Sequence, residues 1–120
     1  MSRSADEYRT CVEAWAATSD GIDRASIRRG NRAVDQMREI VRRAEEQGTV
    51  LELVPLLDEP ACARWLAYQL VEMASIDKAL WERCIGIVEK DASRVDVNGL
   101  GARMWLKEWR TKREASSSGP

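Results

Sequence analysis

Apolar residues recur every three or four positions along most of this chain, and this spacing constrains its fold more than any other feature. Near the start, Tyr8, Cys11 and Trp15 fall on one face of a helix at 100° per residue. Later segments repeat the pattern, and no stretch alternates polar and apolar residues for long enough to form a sheet. The sequence therefore predicts an all-α chain with five main helices and one short helical segment.

The longest predicted helix covers about residues 23–47. Asp23 is a suitable N-cap residue, and Gly48 can adopt the left-handed conformation that often ends a helix. Gly30 lies on the predicted inner face, and glycine inside a helix costs about 1 kcal/mol relative to alanine. We therefore expect a neighbouring helix to approach closely at Gly30. The other predicted inner-face residues are Ile27, Val34, Met37, Val41 and Ala44.

The remaining predicted helices are shorter. They lie at about residues 5–18, 60–73, 75–90 and 99–112. Pro55 restricts the apolar segment 50–57 to a turn or two of helix. The suitable capping residues are Asp58, Ser75, and either Asp96 or Asn98. The predicted core contains Trp65, Leu66, Leu70, Leu80, Cys84 and Leu106. We expect one domain over residues 1–114 and a disordered tail over residues 115–120.

The middle of the chain resembles a HEAT-type helical repeat. The segment 53–58 is a leucine-rich helix end that closes on Asp58, and Arg64 stands early in the following helix. In HEAT repeats, such an aspartate and arginine join neighbouring turns. The resemblance therefore implies that Asp58 and Arg64 form a structural tie.

A wider resemblance, over about residues 30–110, is to the small bacterial HEAT-like family filed as domain of unknown function two thousand and nineteen. The matching segments are GNRAVDQMREIVRR (30–43), LVPLLDEP (53–60), RWLAYQLVEMA (64–74) and GARMWLKEWR (101–110). The resemblance implies antiparallel helix pairs stacked in a HEAT/ARM-like α–α superhelix. It also implies a role in interaction, and it supplies no catalytic residues and no cofactor.

The composition argues against several classes of function. The chain has 120 residues, and 19 Lys and Arg balance 20 Asp and Glu to a net charge of −1, which disfavours a strongly basic nucleic-acid-binding protein. It contains no His, the commonest general base and a frequent metal ligand. It also lacks a Gly-rich phosphate loop and a nucleophile beside a recognisable base. We therefore expect no enzyme, no metal and no cofactor.

Three widely separated cysteines, Cys11, Cys62 and Cys84, indicate a reducing compartment. Their odd number and the lack of a CxxC pair favour small buried side chains over a disulfide framework. The alternative is a reactive thiol, with Cys62 as the best candidate because a nearby helix start lowers a thiol pKa. No apolar run approaches the roughly 18 residues of a membrane helix, and no signal-peptide pattern is visible, so we expect a cytoplasmic protein.

A cluster of four arginines lies in the first nine residues of the longest predicted helix after Asp23, and no acidic residue separates them. The four are Arg24, Arg28, Arg29 and Arg32. Cations there oppose the helix dipole, so helix stability does not explain them. One interpretation is a solvated face that pairs with acidic residues of the preceding helix, namely Asp6, Glu7, Glu13 or Asp20. The other two are a docking surface for an acidic protein and a surface for a phosphate backbone.

A second basic cluster lies on and after the last predicted helix. It consists of Arg103, Lys107, Arg110, Lys112 and Arg113. Helix capping and solubility explain this cluster, since cations are favourable near a helix C-terminus. Trp81 and Trp105 lie at the margins of apolar stripes, where an exposed indole beside Arg would suit a protein partner or stack on a base.

These features favour a non-catalytic protein–protein interaction module with an acidic partner, in which the four arginines and Trp105 contribute to binding. The last helix is the expected interface if the chain forms a homo-oligomer. The alternative is a nucleic-acid-binding HEAT-like protein that uses the Arg-rich helix.

Overall fold

A computed structural model describes residues 3–18 and 23–117 of the chain. It contains α1 (Arg3–Ala16), α2 (Arg24–Gln47), two short 3-10 helices (Val50–Glu52 and Val54–Asp58), α3 (Pro60–Met73), α4 (Lys78–Ala92) and α5 (Val97–Ser117). No strand occurs in these two ranges. The prediction of an all-α fold is therefore confirmed.

The helices cluster into two units, one ending at Ile76 and the other beginning at Asp77. The first unit contains α1, α2, the 3-10 helices and α3, and the second contains α4 and α5. The expectation of one domain over residues 1–114 stays a prediction. Helix α5 continues to Ser117, which is three residues into the segment expected to be a disordered tail. Residues 118–120 lie outside the described part of the chain.

Helices α1 and α2 form an antiparallel pair. Glu7 in α1 forms an ion pair of 3.2 Å with Arg43 near the end of α2. At the other end of the pair, a Cβ atom on Gly30 would lie only 3.0 Å from Oγ1 of Thr18, just after α1. The close approach expected at Gly30 is therefore confirmed, and the missing side chain makes room for the end of α1.

Both predicted ends of α2 are confirmed. The backbone N–H of Ser26 donates to the Asp23 carboxylate at 2.8 Å, and Gly48 has a φ of 70°. The buried face differs from the prediction, because Ile27 is 52% exposed and Val34 is only half-buried. The buried residues are Ser26, Gly30, Ala33, Met37, Ile40, Val41 and Ala44. Small residues dominate this face because α1 lies close against it.

The two 3-10 helices lead directly into α3. Leu53, Leu56 and Leu57 are buried, and Pro60 is the first residue of α3. The N-cap position of α3 belongs to Glu59, so the prediction of Asp58 as the cap was wrong by one residue. Asp58 is instead the last residue of the second 3-10 helix, within the turn that the hydrogen bond from Glu59 N–H to the Leu56 carbonyl closes.

The interior of the first unit lies against α3. Leu66 and Leu70 are fully buried, as predicted, whereas Trp65 is half-buried. The ring of Trp65 meets that of Trp15 in α1 edge to face, with 5.0 Å between the ring centres. This geometry is favourable for aromatic pairs and holds α1 against α3.

Helices α4 and α5 form a second antiparallel pair. Arg110 in α5 forms an ion pair of 3.2 Å with Glu89, and Arg103 donates to the carbonyl of Ala92 at 2.7 Å. The side chains buried in this unit include Cys84, Val88 and Leu106, while Leu80, expected in the core, is half-buried.

The caps of this pair are both aspartates. The N-cap of α4 is Asp77, which accepts from Leu80 N–H at 2.8 Å, so the prediction of Ser75 was wrong. Residues 74–77 are not helical, and α4 begins at Lys78, directly after Asp77. Asp96 accepts from Gly99 N–H at 3.0 Å and so caps α5, one of the two predicted choices.

Candidate interaction surfaces

The four arginines at the start of α2 form one exposed basic surface, called here the α2 arginine surface (Arg24, Arg28, Arg29 and Arg32). Arg24, Arg28 and Arg32 occupy successive turns on the side of α2 opposite Met37. Arg29 donates to the Ser26 hydroxyl at 3.1 Å. In the described ranges, none of the four forms an ion pair.

Two of the acidic residues considered as partners for these arginines pair elsewhere. Asp6 binds Arg9 at 2.7 Å, and Glu7 binds Arg43 at 3.2 Å and Arg3 at 3.4 Å. Glu13 is exposed and forms no ion pair with a described residue. Asp20 lies outside the described residues. The interpretation of a face neutralised by Asp6 and Glu7 therefore does not hold.

The second half of α2 contrasts with the α2 arginine surface. Arg42 forms ion pairs with Glu39 and Glu46, one turn before and one turn after it. The hydrogen bond from Arg42 holds the pKa of Glu39 below its usual range. The positive charge of α2 is therefore neutralised near its C-terminal end. Near its N-terminal end the four arginines form no ion pair with a described residue, and the carboxylate beside them is that of the N-cap, Asp23.

Residues of the second basic cluster form contacts between α4 and α5. Arg103 donates to the carbonyls of Ala92 and Arg94, at 2.7 and 3.0 Å, and so satisfies acceptors at the end of α4. Arg110 binds Glu89. Arg103 therefore caps α4 and Arg110 joins α5 to α4, while capping of the C-terminal end of the last helix by this cluster stays a prediction.

The last turns of α5 hold cations over aromatic rings. Lys112 binds Glu108 at 3.1 Å and lies 4.4 Å from the ring centre of Trp109. Arg113 lies 4.8 Å from the ring centre of Trp81. Trp105 is half-buried, and its ring centre is 5.9 Å from that of Trp109. Neither Trp105 nor Trp81 is a fully exposed platform, since rings and cations of the same unit cover part of each.

The three cysteines are free thiols and are buried. Burial raises the pKa of Cys11 and Cys62 above the usual range, and it raises the pKa of Cys84 to about 11. The expectation that a helix start lowers the pKa of Cys62 was therefore wrong. The cost of placing a thiolate in an apolar interior outweighs the helix dipole there.

An ion pair that the sequence did not reveal joins α1 to the start of α3. Arg9 donates from Nε to both oxygens of Glu59 at 2.9 Å, and from Nη2 at 2.7 Å. The Arg9 hydrogen bond lowers the pKa of Glu59. The two residues are 50 positions apart, so no local pattern could have paired them. The predicted tie between Asp58 and Arg64 stays a prediction.

Within residues 3–18 and 23–117, no group of three or more Cys, Asp or Glu side chains could hold a metal ion. No described helix combines the length and the apolar character that crossing a membrane requires.

Comparison with known proteins adds no family. No protein-family model matches the chain, and no curated protein or solved structure is significantly similar to it.

Proposed function

We propose that this chain is a non-catalytic interaction module of the HEAT-like type that docks an acidic protein surface on the α2 arginine surface. The main support is that Arg24, Arg28 and Arg32 are exposed, occupy successive turns, and form no ion pair with a described residue. Antiparallel helix pairs, as in α1–α2 and α4–α5, support the repeat type, because they are the unit from which such modules are built.

Electrostatics favours an acidic partner at this position. The N-terminus of α2 carries the positive end of the helix dipole, and the guanidinium groups add to the same field. The guanidinium groups repel one another and the positive end of the dipole, and an approaching carboxylate surface would relieve this repulsion. Complementary charge also raises the association rate. Guanidinium also forms paired hydrogen bonds with carboxylates, which adds orientation to the attraction.

A protein partner is preferred to a nucleic acid because of the overall charge. The net charge is −1, so the molecule as a whole does not attract a long nucleic acid, whereas an acidic patch on a protein needs only the α2 arginine surface. We also propose a cytoplasmic location, which the free thiols of Cys11, Cys62 and Cys84 support, and no cofactor. Self-association would use α5, where Leu100 and Met104 are 52% and 66% exposed.

The test is binding of a fluorescein-labelled polyglutamate peptide and of a duplex DNA, measured by fluorescence anisotropy at low and physiological salt. We expect the peptide to bind more tightly than the DNA. The double variant Arg28→Glu with Arg32→Glu should weaken peptide binding by at least about 10-fold, or roughly 1.4 kcal/mol. The matched control, Lys78→Glu with Lys90→Glu, makes the same change in net charge at exposed residues of α4 and should bind as the wild type does.

Three results would overturn the proposal. Equal losses in the reversal and control variants would show that net charge alone governs binding. DNA binding tighter than peptide binding, with a steep dependence on salt, would support the nucleic-acid alternative instead. A fall of many degrees in the melting temperature of the reversal variant would place these arginines in an internal ion-pair network.

A further inference from the structure

We propose that a groove between α4 and α5 binds a small organic anion that has an apolar body, such as a medium-chain carboxylate. The groove has a volume of about 650 Å³ and lies within the second unit, where the end of α4 meets the middle of α5. Cavities of about 300–1,000 Å³ are typical of small-molecule sites. This site is separate from the α2 arginine surface, and its occupant is a small molecule rather than a protein.

Three cations line one edge of the groove. Arg103, Lys107 and Arg110 stand at i, i+4 and i+7 of α5, which places them on the same side of the helix. One carboxylate, that of Glu89, also lines the groove and binds Arg110 at 3.2 Å. The lining therefore carries an excess of positive charge, which a carboxylate ligand would reduce.

The two arginines of this edge are held in place by the protein. The carbonyls of Ala92 and Arg94 hold Nη1 of Arg103, and Glu89 holds Nη2 of Arg110. A guanidinium has five N–H donors, so each arginine keeps donors for a ligand after making these contacts. Side chains fixed in advance lose little conformational entropy when a ligand binds.

Lys107 is a lining cation that forms no ion pair with a described residue. It stands between Arg103 and Arg110 and is exposed. Capping explains Arg103 and pairing explains Arg110, but neither explains Lys107. An anion in the groove would give this ammonium group a partner.

The groove also offers apolar surface. Leu106 and Ala92 line the groove, but Leu106 is only 5% exposed, so most of the apolar surface comes from the aliphatic stems of the three cations. From residue 103 to residue 111 the groove follows α5 for about 12 Å, at 1.5 Å per residue. A bare phosphate would leave this surface uncovered, whereas an aliphatic chain of similar length would cover it.

The hydroxyl groups in the groove do not favour a neutral polar ligand. Ser93 donates its hydroxyl proton to the carbonyl of Lys90 at 2.6 Å, and Thr111 donates to the carbonyl of Lys107 at 2.8 Å. Both donors are committed, so the donors left for a ligand are those of the cations. Recognition therefore depends on negative charge.

The test uses the full chain and sodium decanoate below its micelle-forming concentration, with binding followed by backbone amide chemical shifts. We expect saturable shifts at residues 89–93 and 103–111. Decanol, which has the same chain without the charge, and acetate, which has the charge without the chain, should each bind at least about 10-fold more weakly.

Variants at Lys107 decide whether the basic edge recognises the anion. Lys107→Glu and Lys107→Gln should each weaken decanoate binding by at least about 10-fold, whereas Lys107→Arg should preserve it. The control Lys78→Glu changes an exposed lysine at the far end of α4 and should bind as the wild type does. Equal binding of decanol and decanoate, shifts confined to other residues, no saturable binding, or unchanged affinity in Lys107→Gln would each overturn the proposal.

Discussion

The phenol hydroxyl of Tyr8 in α1 donates a hydrogen bond of 2.5 Å to Oε1 of Gln69 in α3. Both side chains are buried, and Tyr8 is completely inaccessible. Burial raises the pKa of Tyr8 well above its ordinary value of 10, so the hydroxyl keeps its proton and its role as donor. Because these two buried polar side chains hydrogen-bond to each other, they fix how α1 lies on α3, and sliding either helix would break the hydrogen bond.

Replacing Tyr8 by phenylalanine should lower the free energy of unfolding by about 1–3 kcal/mol, because the Gln69 amide would stay buried without its donor. Chemical denaturation measures this loss. The double variant Tyr8→Phe with Gln69→Leu removes both partners and should recover part of it. Equal stability of Tyr8→Phe and the wild type would show that water reaches Gln69 and that the bond does not fix the packing.

Two helical glycines should respond oppositely to alanine. A Cβ on Gly86 in α4 would meet no atom within 4 Å, so Gly86→Ala should stabilise the protein by about 0.5–1 kcal/mol. A Cβ on Gly30 would lie 3.0 Å from Thr18 Oγ1, so Gly30→Ala should give no gain or a loss. Thermal and chemical unfolding compare the two. Equal gains would mean that α1 does not approach α2 closely at Gly30.

Local signals along α2 predicted its length, and the tertiary contacts decided which face is buried. Asp23 and Gly48 mark its ends in the sequence because capping depends on the nearest few residues. The buried face could not be read as reliably, since Ala33 and Ser26 carry little apolar signal and Ile27 carries much. Contact with α1 selects small residues, and that contact is not local.

The candidate surfaces also divide into features that the local sequence predicts and features that depend on tertiary contacts. Exposure of Arg24, Arg28 and Arg32 followed from the cost of burying unpaired charge, so the sequence could predict it. The pairing of Arg9 with Glu59 depends on how α1 meets the start of α3. The groove beside Lys107 likewise depends on how α4 and α5 pack. Such sites follow from packing, which short-range patterns do not encode.

The tie between Asp58 and Arg64 can be measured as a coupling energy. A double-mutant cycle with Asp58→Ala and Arg64→Ala should give an interaction of about 0.5–1 kcal/mol. Chemical denaturation of the four proteins supplies the values. Strictly additive losses would show that the two residues act independently and that the HEAT-like resemblance does not extend to this pair.

The Arg9–Glu59 ion pair should make stability depend on acid. The pKa of Glu59 is lowered in the folded protein from its ordinary value of 4.5, chiefly by the Arg9 hydrogen bond. The contribution of ionised Glu59 to the free energy of unfolding is therefore fully present above pH 4.5 and is lost as the pH falls, because the unfolded chain takes up the proton first.

In Arg9→Gln, the free energy of unfolding should consequently fall less steeply between about pH 5 and pH 3 than in the wild type. The control Lys90→Gln changes an exposed lysine and should keep the wild-type slope. The pKa values of Glu39 and Asp23 are also lowered, so these two groups contribute to the slope in all three proteins. Denaturant unfolding at several pH values gives the slopes. Identical slopes in Arg9→Gln and the wild type would show that solvent screens this half-exposed pair.

The cysteines should react slowly in the folded protein. Burial raises the pKa of Cys84 to about 11 from an ordinary value of 9.0, so near pH 8 its thiolate population is about 100-fold smaller than in the unfolded chain. Burial also raises the pKa of Cys11 and Cys62, and it shields all three from reagents. Alkylation with iodoacetamide, quenched over time and resolved by peptide mass spectrometry, should therefore be at least about 100-fold slower at Cys84 in the native protein than in denaturant. Labelling of Cys62 at its unfolded rate under native conditions would instead restore the interpretation of this residue as a reactive thiol at a helix start.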